Sequence, residues 1–402
     1  MSPSTSSPSS DYTLYRSPCI PNLPYFTPKQ RIPVGTAILD PENGVTEDTI
    51  NPVFKPITIR GMTFQNRIFV APMCMYSCEG GMLTDFHVAH YGQWAMRGAP
   101  LITIEATAVV PWGLNTPQDS ALYSRAQIAP LKRVVDFIHS QSQRAAIQLQ
   151  HAGRKSSICP PWLGLKLVPS EHGGFPEQVK GPSGNEAWNE NYASPSEMTE
   201  EEIWEVIHGF GSAAKWAVEE AGVDVIAVHG AHGYLIHEFA SPASNHRTDS
   251  WGGSFSNRTR FGLEILRSIR RSIPSHVPVF WKISAVDWLP DGQGWEITDT
   301  LRYAPLLAAE GVDFLDVSSG GVDRRQKVEL GYQYQVGFAK MVKDLKIPGL
   351  TVGAVGWIRD GKCVDDIISN NKADVVSVAR EFLRDPNFVQ KVALETGKAC
   401  PI

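Results

Sequence analysis

No apolar run in this 402-residue chain approaches the ~20 residues that a transmembrane helix needs, so no membrane-spanning helix is expected. Charge of either sign is not in excess. A net charge of −5 gives the surface no pull toward nucleic acid or an acidic membrane. Cysteine is scarce: Cys19, Cys74, Cys78, Cys159, Cys363 and Cys400. A chain of this length buries enough core to fold without staples, so the thiols read as reduced and the compartment as cytoplasmic. Cys74 and Cys78 lack a second ligand pair at zinc spacing, which argues against a structural metal. The first eighteen residues hold no apolar segment and a single Arg beside an Asp. Neither a secretory leader nor a mitochondrial presequence is expected there. No Gly-x-Gly-x-x-Gly follows an early strand, which weighs against a doubly wound dinucleotide fold.

What is present divides at about residue 50. Residues 1–50 form a Ser/Pro-rich extension without sustained periodicity. Its start reads as disordered and its later part as lying across the surface of the main domain, residues 51–402. The stretch from Val53 to Pro72 reads as a short hairpin around Gly61 that plugs one end of the fold, followed by a first strand at 67–72. Seven more apolar runs follow at 101–107, 145–150, 223–229, 278–284, 314–319, 349–355 and 375–380. Helix-like runs alternate with them at 85–97, 130–142, 200–221, 257–273, 298–310, 334–345, 359–370 and 384–396, with Asn257 as an expected N-cap. Eight strand–helix units on one core predict a (β/α)8 TIM barrel. Residues 151–199, after the third barrel strand, are too long for a simple connection and contain Trp162 and Trp188. They read as a lid with an aromatic wall on the catalytic face.

In a barrel the strand tips supply the site. The fourth strand leads into His229, His232 and Tyr234, two imidazoles and a phenol able to donate to one oxygen and to hand over a proton. The same histidines could be metal ligands, but no third ligand stands at metal spacing, so no metal is expected. The first strand ends in Pro72, Met73, Cys74 and Tyr76. Ala106, at the second tip, leaves room for a flat ring. Gln148, at the third, can both donate and accept. Lys282 is a cation inside the apolar run Val279–Ser284 and needs an anion or polar ligand to meet it. Gly353 and Gly356 at the seventh tip, with Ala379 and Arg380 at the eighth, suggest a phosphate site.

These motifs coincide with one family. Ala71-Pro-Met-Cys-Met-Tyr76, Gln148 with His151-Ala-Gly-Arg-Lys155, His229-Gly-Ala-His-Gly-Tyr234, Ser244-Asn-His-Arg-Thr-Asp249, Gly353-Ala-Val-Gly356 and Arg380-Glu-Phe-Leu-Arg-Asp-Pro386 resemble the Old Yellow Enzyme family of FMN-dependent ene-reductases, in its thermophilic-like branch. The resemblance covers about residues 53–395. It implies FMN as cofactor, NADPH (or NADH) as reductant and small activated alkenes as substrates. It implies His229 and His232 on the substrate oxygen, Tyr234 as proton donor and Tyr76 and Lys155 on the substrate side. It implies Cys74 beside the flavin, Gln148 on its pyrimidine edge, Ala106 by its ring, and Gly353–Gly356 with Ala379 and Arg380 at its phosphate. Lys282 stands where the family's pattern has arginine; a single cation can still meet negative charge on a reduced flavin. Many members of the branch end in a segment whose Arg enters the neighbouring subunit. This chain ends Ala399-Cys-Pro-Ile402, so a monomer or a homodimer with unshared sites is expected. Three other readings have distinct signatures. A redox-neutral isomerase or desaturase of the same family would consume no NADPH. A barrel lyase using Lys282 as a Schiff-base nucleophile would be colourless. A flavin-binding scaffold would have no reactivity.

Overall fold

The structure is a computed structural model, and it describes residues 17–290 and 292–397. The expectations for the first sixteen residues and for the C-terminal Ala399–Ile402 lie outside the described residues.

Eight parallel strands close into a barrel: β3 (Ile68–Val70), β4 (Leu101–Ala108), β5 (Arg144–Gln150), β6 (Val225–Gly230), β7 (Val279–Ser284), β8 (Phe314–Ser318), β9 (Thr351–Val355) and β10 (Val375–Val378). β10 pairs back onto β3 and β3 onto β4, so the barrel strands leave no open edge. Each strand is a near-continuous apolar run because one face meets the barrel interior and the other meets a helix. The alternating helices are α1 (Asp85–Ala95), α2 (Ile128–Ser140), α3 (Glu200–Glu219), α4 (Leu235–Ala240), α5 (Phe255–Ser272), α6 (Ile297–Ala309), α7 (Val336–Asp344), α8 (Gly361–Ser369), α9 (Arg380–Arg384) and α10 (Phe388–Glu395). The TIM-barrel expectation holds strand for strand.

Two details differ from the sequence reading. α5 begins earlier, because Ser254 and not Asn257 caps it: the Asn257 N–H donates to Ser254 Oγ at 3.2 Å. The helix expected at 384–396 starts only at Phe388, past Pro386, and a short helix not expected from the sequence, α9, precedes it.

The hairpin expected around Gly61 is present as β1 (Ile57–Ile59) paired antiparallel with β2 (Met62–Phe64). Its buried residues Ile59 and Phe64 join Phe69, Phe280 and Phe314 in a separate apolar cluster at the N-terminal end of the barrel. The Phe280 and Phe314 rings lie 4.6 Å apart and Phe64 and Phe69 4.9 Å apart. This end is therefore filled by aromatic rings. The extension from residue 17 to 50 crosses the same end. There the backbone of Gly35 meets Gly98 so closely that a methyl group at position 35 would fall 2.2 Å from Gly98 O. Among the described residues no helix is long and apolar enough to cross a membrane.

Candidate active site

β6 carries the centre of the site. The strand extends to Gly230, so the His229 side chain leaves from the strand itself and not from the loop. The chain then turns through two left-handed residues, His232 (φ +60°) and Gly233 (φ +70°), before Tyr234 opens α4. Gly233 is required here: a Cβ would sit 2.1 Å from Gly321 O. The turn brings three rings together. His229 and His232 are 5.2 Å apart and nearly perpendicular, and His229 and Tyr234 are 4.7 Å apart. His229 Nδ1 accepts the Ala231 N–H at 3.4 Å, which leaves the ring proton on Nε2. His232 Nε2 lies 2.6 Å from Ser318 Oγ.

Burial, reinforced for His229 by the Lys282 charge and for His232 by His229, holds both imidazoles well below the usual histidine range, so they are neutral. Burial, with Cys74 next, pushes the Tyr234 phenol well up, so it stays protonated. The site thus presents neutral donors.

Lys282 has its anion. It pairs in register with His229 on β6 and with Asp316 on β8. Its ammonium meets Asp316 Oδ2, with both residues buried. Asp316 Oδ1 has no hydrogen-bond partner. The sequence reading asked for this counter-charge but missed Asp316, although a lone acid in the apolar run Phe314–Ser318 was the available signal.

Pro72, Lys282, Gly356, Ala379 and Arg380 line one cavity with His232 and Ser318. Lys282 and Arg380 give it two cations, and Gly356, with φ +109°, lets Gln335 approach: an added Cβ would lie 2.4 Å from Gln335 Nε2. Gln148 lies on an adjoining interior cavity, also lined by Pro72 and Lys282. Ala106 is buried, and its backbone hydrogen-bonds the Cys74 thiol. Burial, then the charges of Asp119 and Glu105, pushes that thiol well up, so Cys74 is protonated. Met73 packs against the main core. Gly353 does not reach the cavity. It lies inside β9, and its missing side chain is filled by Phe314, whose Cζ would be 2.2 Å from an added Cβ.

Tyr76, in a left-handed conformation at φ +54°, touches the lid through Trp162, edge to face at 5.3 Å. Lys155 does something not foreseen. Its Nζ donates to His232 O at 2.7 Å and to Gly321 O at 2.5 Å, and it sits 4.7 Å from the Trp188 ring. Burial brings its pKa down to about 7. The lid is fastened at the same place: Trp188 Nε1 donates to Gly321 O at 3.2 Å and Arg154 Nη2 to Val322 O at 2.6 Å.

One cluster has metal-like spacing. Cys78, His87 and Glu105 place ligand atoms within 4.8 Å of one another. Hydrogen bonds already engage them. His87 Nδ1 accepts the Thr84 N–H at 2.9 Å, so its Nε2–H faces Glu105 Oε2 at 3.4 Å. Glu105 also accepts from Tyr91 Oη at 2.8 Å and from the Met75 N–H at 3.0 Å. The carboxylate thereby grips the segment that carries Cys74.

Residues 52–398 match the model of the NADH:flavin oxidoreductase / NADH oxidase family. The chain belongs to this family. It is 43% identical to an NADH:flavin oxidoreductase of Gibberella zeae over 93% of this chain and 91% of that protein. It is 39% identical to the NADPH dehydrogenase of Bacillus subtilis over 87% of this chain and 96% of that protein. Among solved structures, a 2-naphthoyl-CoA reductase matches with a TM-score of 0.77 at 22% identity, over 86% of this chain and 52% of that longer one. The resemblance to the Old Yellow Enzyme family therefore holds, and the protein is an FMN-dependent oxidoreductase. The residues present fit the chemistry of that cofactor: Lys282 and Arg380 offer two cations to an anionic tail, and Gln148 and the unpartnered Asp316 carboxylate oxygen offer polar partners from the adjoining cavity.

Proposed function

We propose that the protein is an NAD(P)H-dependent ene-reductase that reduces the C=C bond of α,β-unsaturated carbonyl or nitro compounds. The observation that carries this reading is the perpendicular packing of His229 against both His232 and Tyr234 at one strand tip. FMN, when bound, would supply the hydride chemistry between nicotinamide and alkene. Lys282, Arg380, Gly356 and Gln148 are the residues that would hold it, with Cys74 and Ala106 beside its ring.

Around that group the chain's own residues have separable tasks. His229 offers its Nε2–H to the substrate oxygen, and His232 offers its second ring nitrogen. Both are neutral, so they stabilise the growing negative charge without trapping the product as an ion pair. Tyr234 holds its proton against loss to solvent and gives it to the carbon next to the carbonyl. Tyr76 and Trp162 form the outer aromatic wall.

The ion pair of Lys282 with Asp316 counts against the lyase reading, since an ion-paired ammonium has no lone pair with which to attack a carbonyl. The test is an absorbance spectrum during anaerobic addition of NADPH and then 2-cyclohexenone. Flavin bands that bleach and then return support the reading. Bands that bleach and stay bleached overturn it in favour of a redox-neutral or more specialised reaction.

A further inference from the structure

The turn Ala231–Tyr234 holds two consecutive left-handed residues, which costs energy at the non-glycine His232. It persists because each of its N–H groups is engaged. The Ala231 N–H donates to His229 Nδ1, the His232 N–H to Ser284 Oγ at 2.9 Å, and the Tyr234 N–H to Ala231 O at 3.2 Å. The Gly233 N–H, between His232 and Tyr234, donates to His237 Nδ1 at 2.9 Å.

That last contact fixes the tautomer of His237. With Nδ1 accepting, the ring proton is on Nε2. His237 Nε2 lies 2.8 Å from Asp287 Oδ1, and both residues are buried. The other oxygen of Asp287 accepts the Ser241 hydroxyl at 2.5 Å and the Trp295 N–H at 2.6 Å. Asp287 thus accepts two hydrogen bonds through Oδ2, while its Oδ1 and His237 Nε2, each without any other partner, face each other.

We propose that Asp287 and His237 are positioning residues that hold His232 and Tyr234 in reactive geometry by gripping the peptide N–H between them. This rests on the reading of Tyr234 as proton donor. The dyad touches no substrate. Its carboxylate selects the one imidazole tautomer able to accept from Gly233, much as the buried aspartate of a serine-protease triad selects the tautomer of its histidine. An asparagine at 287 cannot do this. Whichever way its amide is turned, one N–H group must face a donor: His237, Ser241 or Trp295. If it faces His237, the imidazole proton moves to Nδ1 and points at the Gly233 N–H.

The experiment compares Asp287→Asn, His237→Leu and His237→Gln as flavin-loaded enzymes, in separate half-reactions. Glutamine can accept from Gly233 through Oε1 and donate to Asp287 through Nε2. Expected for Asp287→Asn and His237→Leu is a loss of about 10²-fold in reoxidation by 2-cyclohexenone, the scale of a small misplacement of reacting groups, with bleaching by NADPH unchanged. His237→Gln stays near wild type. Nitrogen-15 histidine spectra of the wild type, assigned through His237→Gln, should show the His237 proton on Nε2. Reoxidation of His237→Leu at the wild-type rate overturns the proposal, as does an equal fall in both half-reactions with flavin still bound. A proton found on Nδ1 overturns it too. If the first two variants do not fold, the tautomer decides. If 2-cyclohexenone fails to reoxidise the wild type, the proposed function falls, and the tautomer still decides the dyad.

Discussion

Lys282 and Asp316 stand opposite each other in register on β7 and β8, and their charged ends meet inside the barrel. His229 occupies the same level on the other side of Lys282, and Gly353 the same level beyond Asp316. One layer of the barrel thus contains a cation, an anion, a neutral imidazole and a gap filled by Phe314.

Replacing Asp316 with Asn leaves Lys282 buried without its counter-charge. Stability should fall by about 3–5 kcal/mol, the cost of breaking a buried pair from one side. Replacing both residues with Met and Leu should cost much less. Urea unfolding of the single and double variants measures the difference.

Tyr234→Phe keeps the ring that packs on His229 and removes only the hydroxyl that carries the proton. Reoxidation by an enone should slow by roughly 10²–10⁴, the usual range for a lost general acid. Reduction by NADPH should be unchanged. Equal losses in both half-reactions would be inconsistent with a proton-donor role.

Lys155 has a folded pKa of about 7, below its unfolded value, because burial disfavours the ammonium. Between those two values the unfolded chain binds the extra proton, so stability contributed at this position rises with pH from about 7 upward. The neutral amine still has two N–H groups for the His232 and Gly321 carbonyls. Relative to Lys155→Met, the wild type should therefore gain stability as pH rises from 7 to 9. Urea midpoints at several pH values test the sign.

Gly233→Ala places a methyl group 2.1 Å from Gly321 O. Either the turn or the β8–α7 connection must move, at a cost of roughly 1–3 kcal/mol for overpacking. Because Lys155 and Trp188 both donate to that same carbonyl, the lid should loosen with it. Faster proteolysis within residues 151–199 reports this.

The barrel was legible because strands buried on both faces read as apolar runs, and all eight were located from that alone. The hairpin plug was legible from Gly61 between two short strand-like pieces. Lid contacts were not, because Arg154, Lys155 and Trp188 bind backbone carbonyls, and a carbonyl looks the same at every position of a sequence. Asp316 was hidden differently. Its charge was visible, but its meeting with Lys282 depends on the register of two strands. The packing of Phe314 against Gly353 was not legible, because a glycine near a strand tip has two explanations, open backbone or a bulky neighbour, and the neighbour lies on another strand. His237 and Asp287 were missed as partners because the acid joins α4 from the far side of β7.

The phenyl rings at the base of the barrel bear on how ligands would reach the proposed site. Phe64, Phe69, Phe280 and Phe314 stop the end where β1 and β2 sit, so a nicotinamide and an alkene that both need the face above His229 share one doorway. On the proposed function, the first visitor would depart before the second arrives. Initial-rate lines at different alkene concentrations should then run parallel in a double-reciprocal plot, and either visitor in excess should block the other.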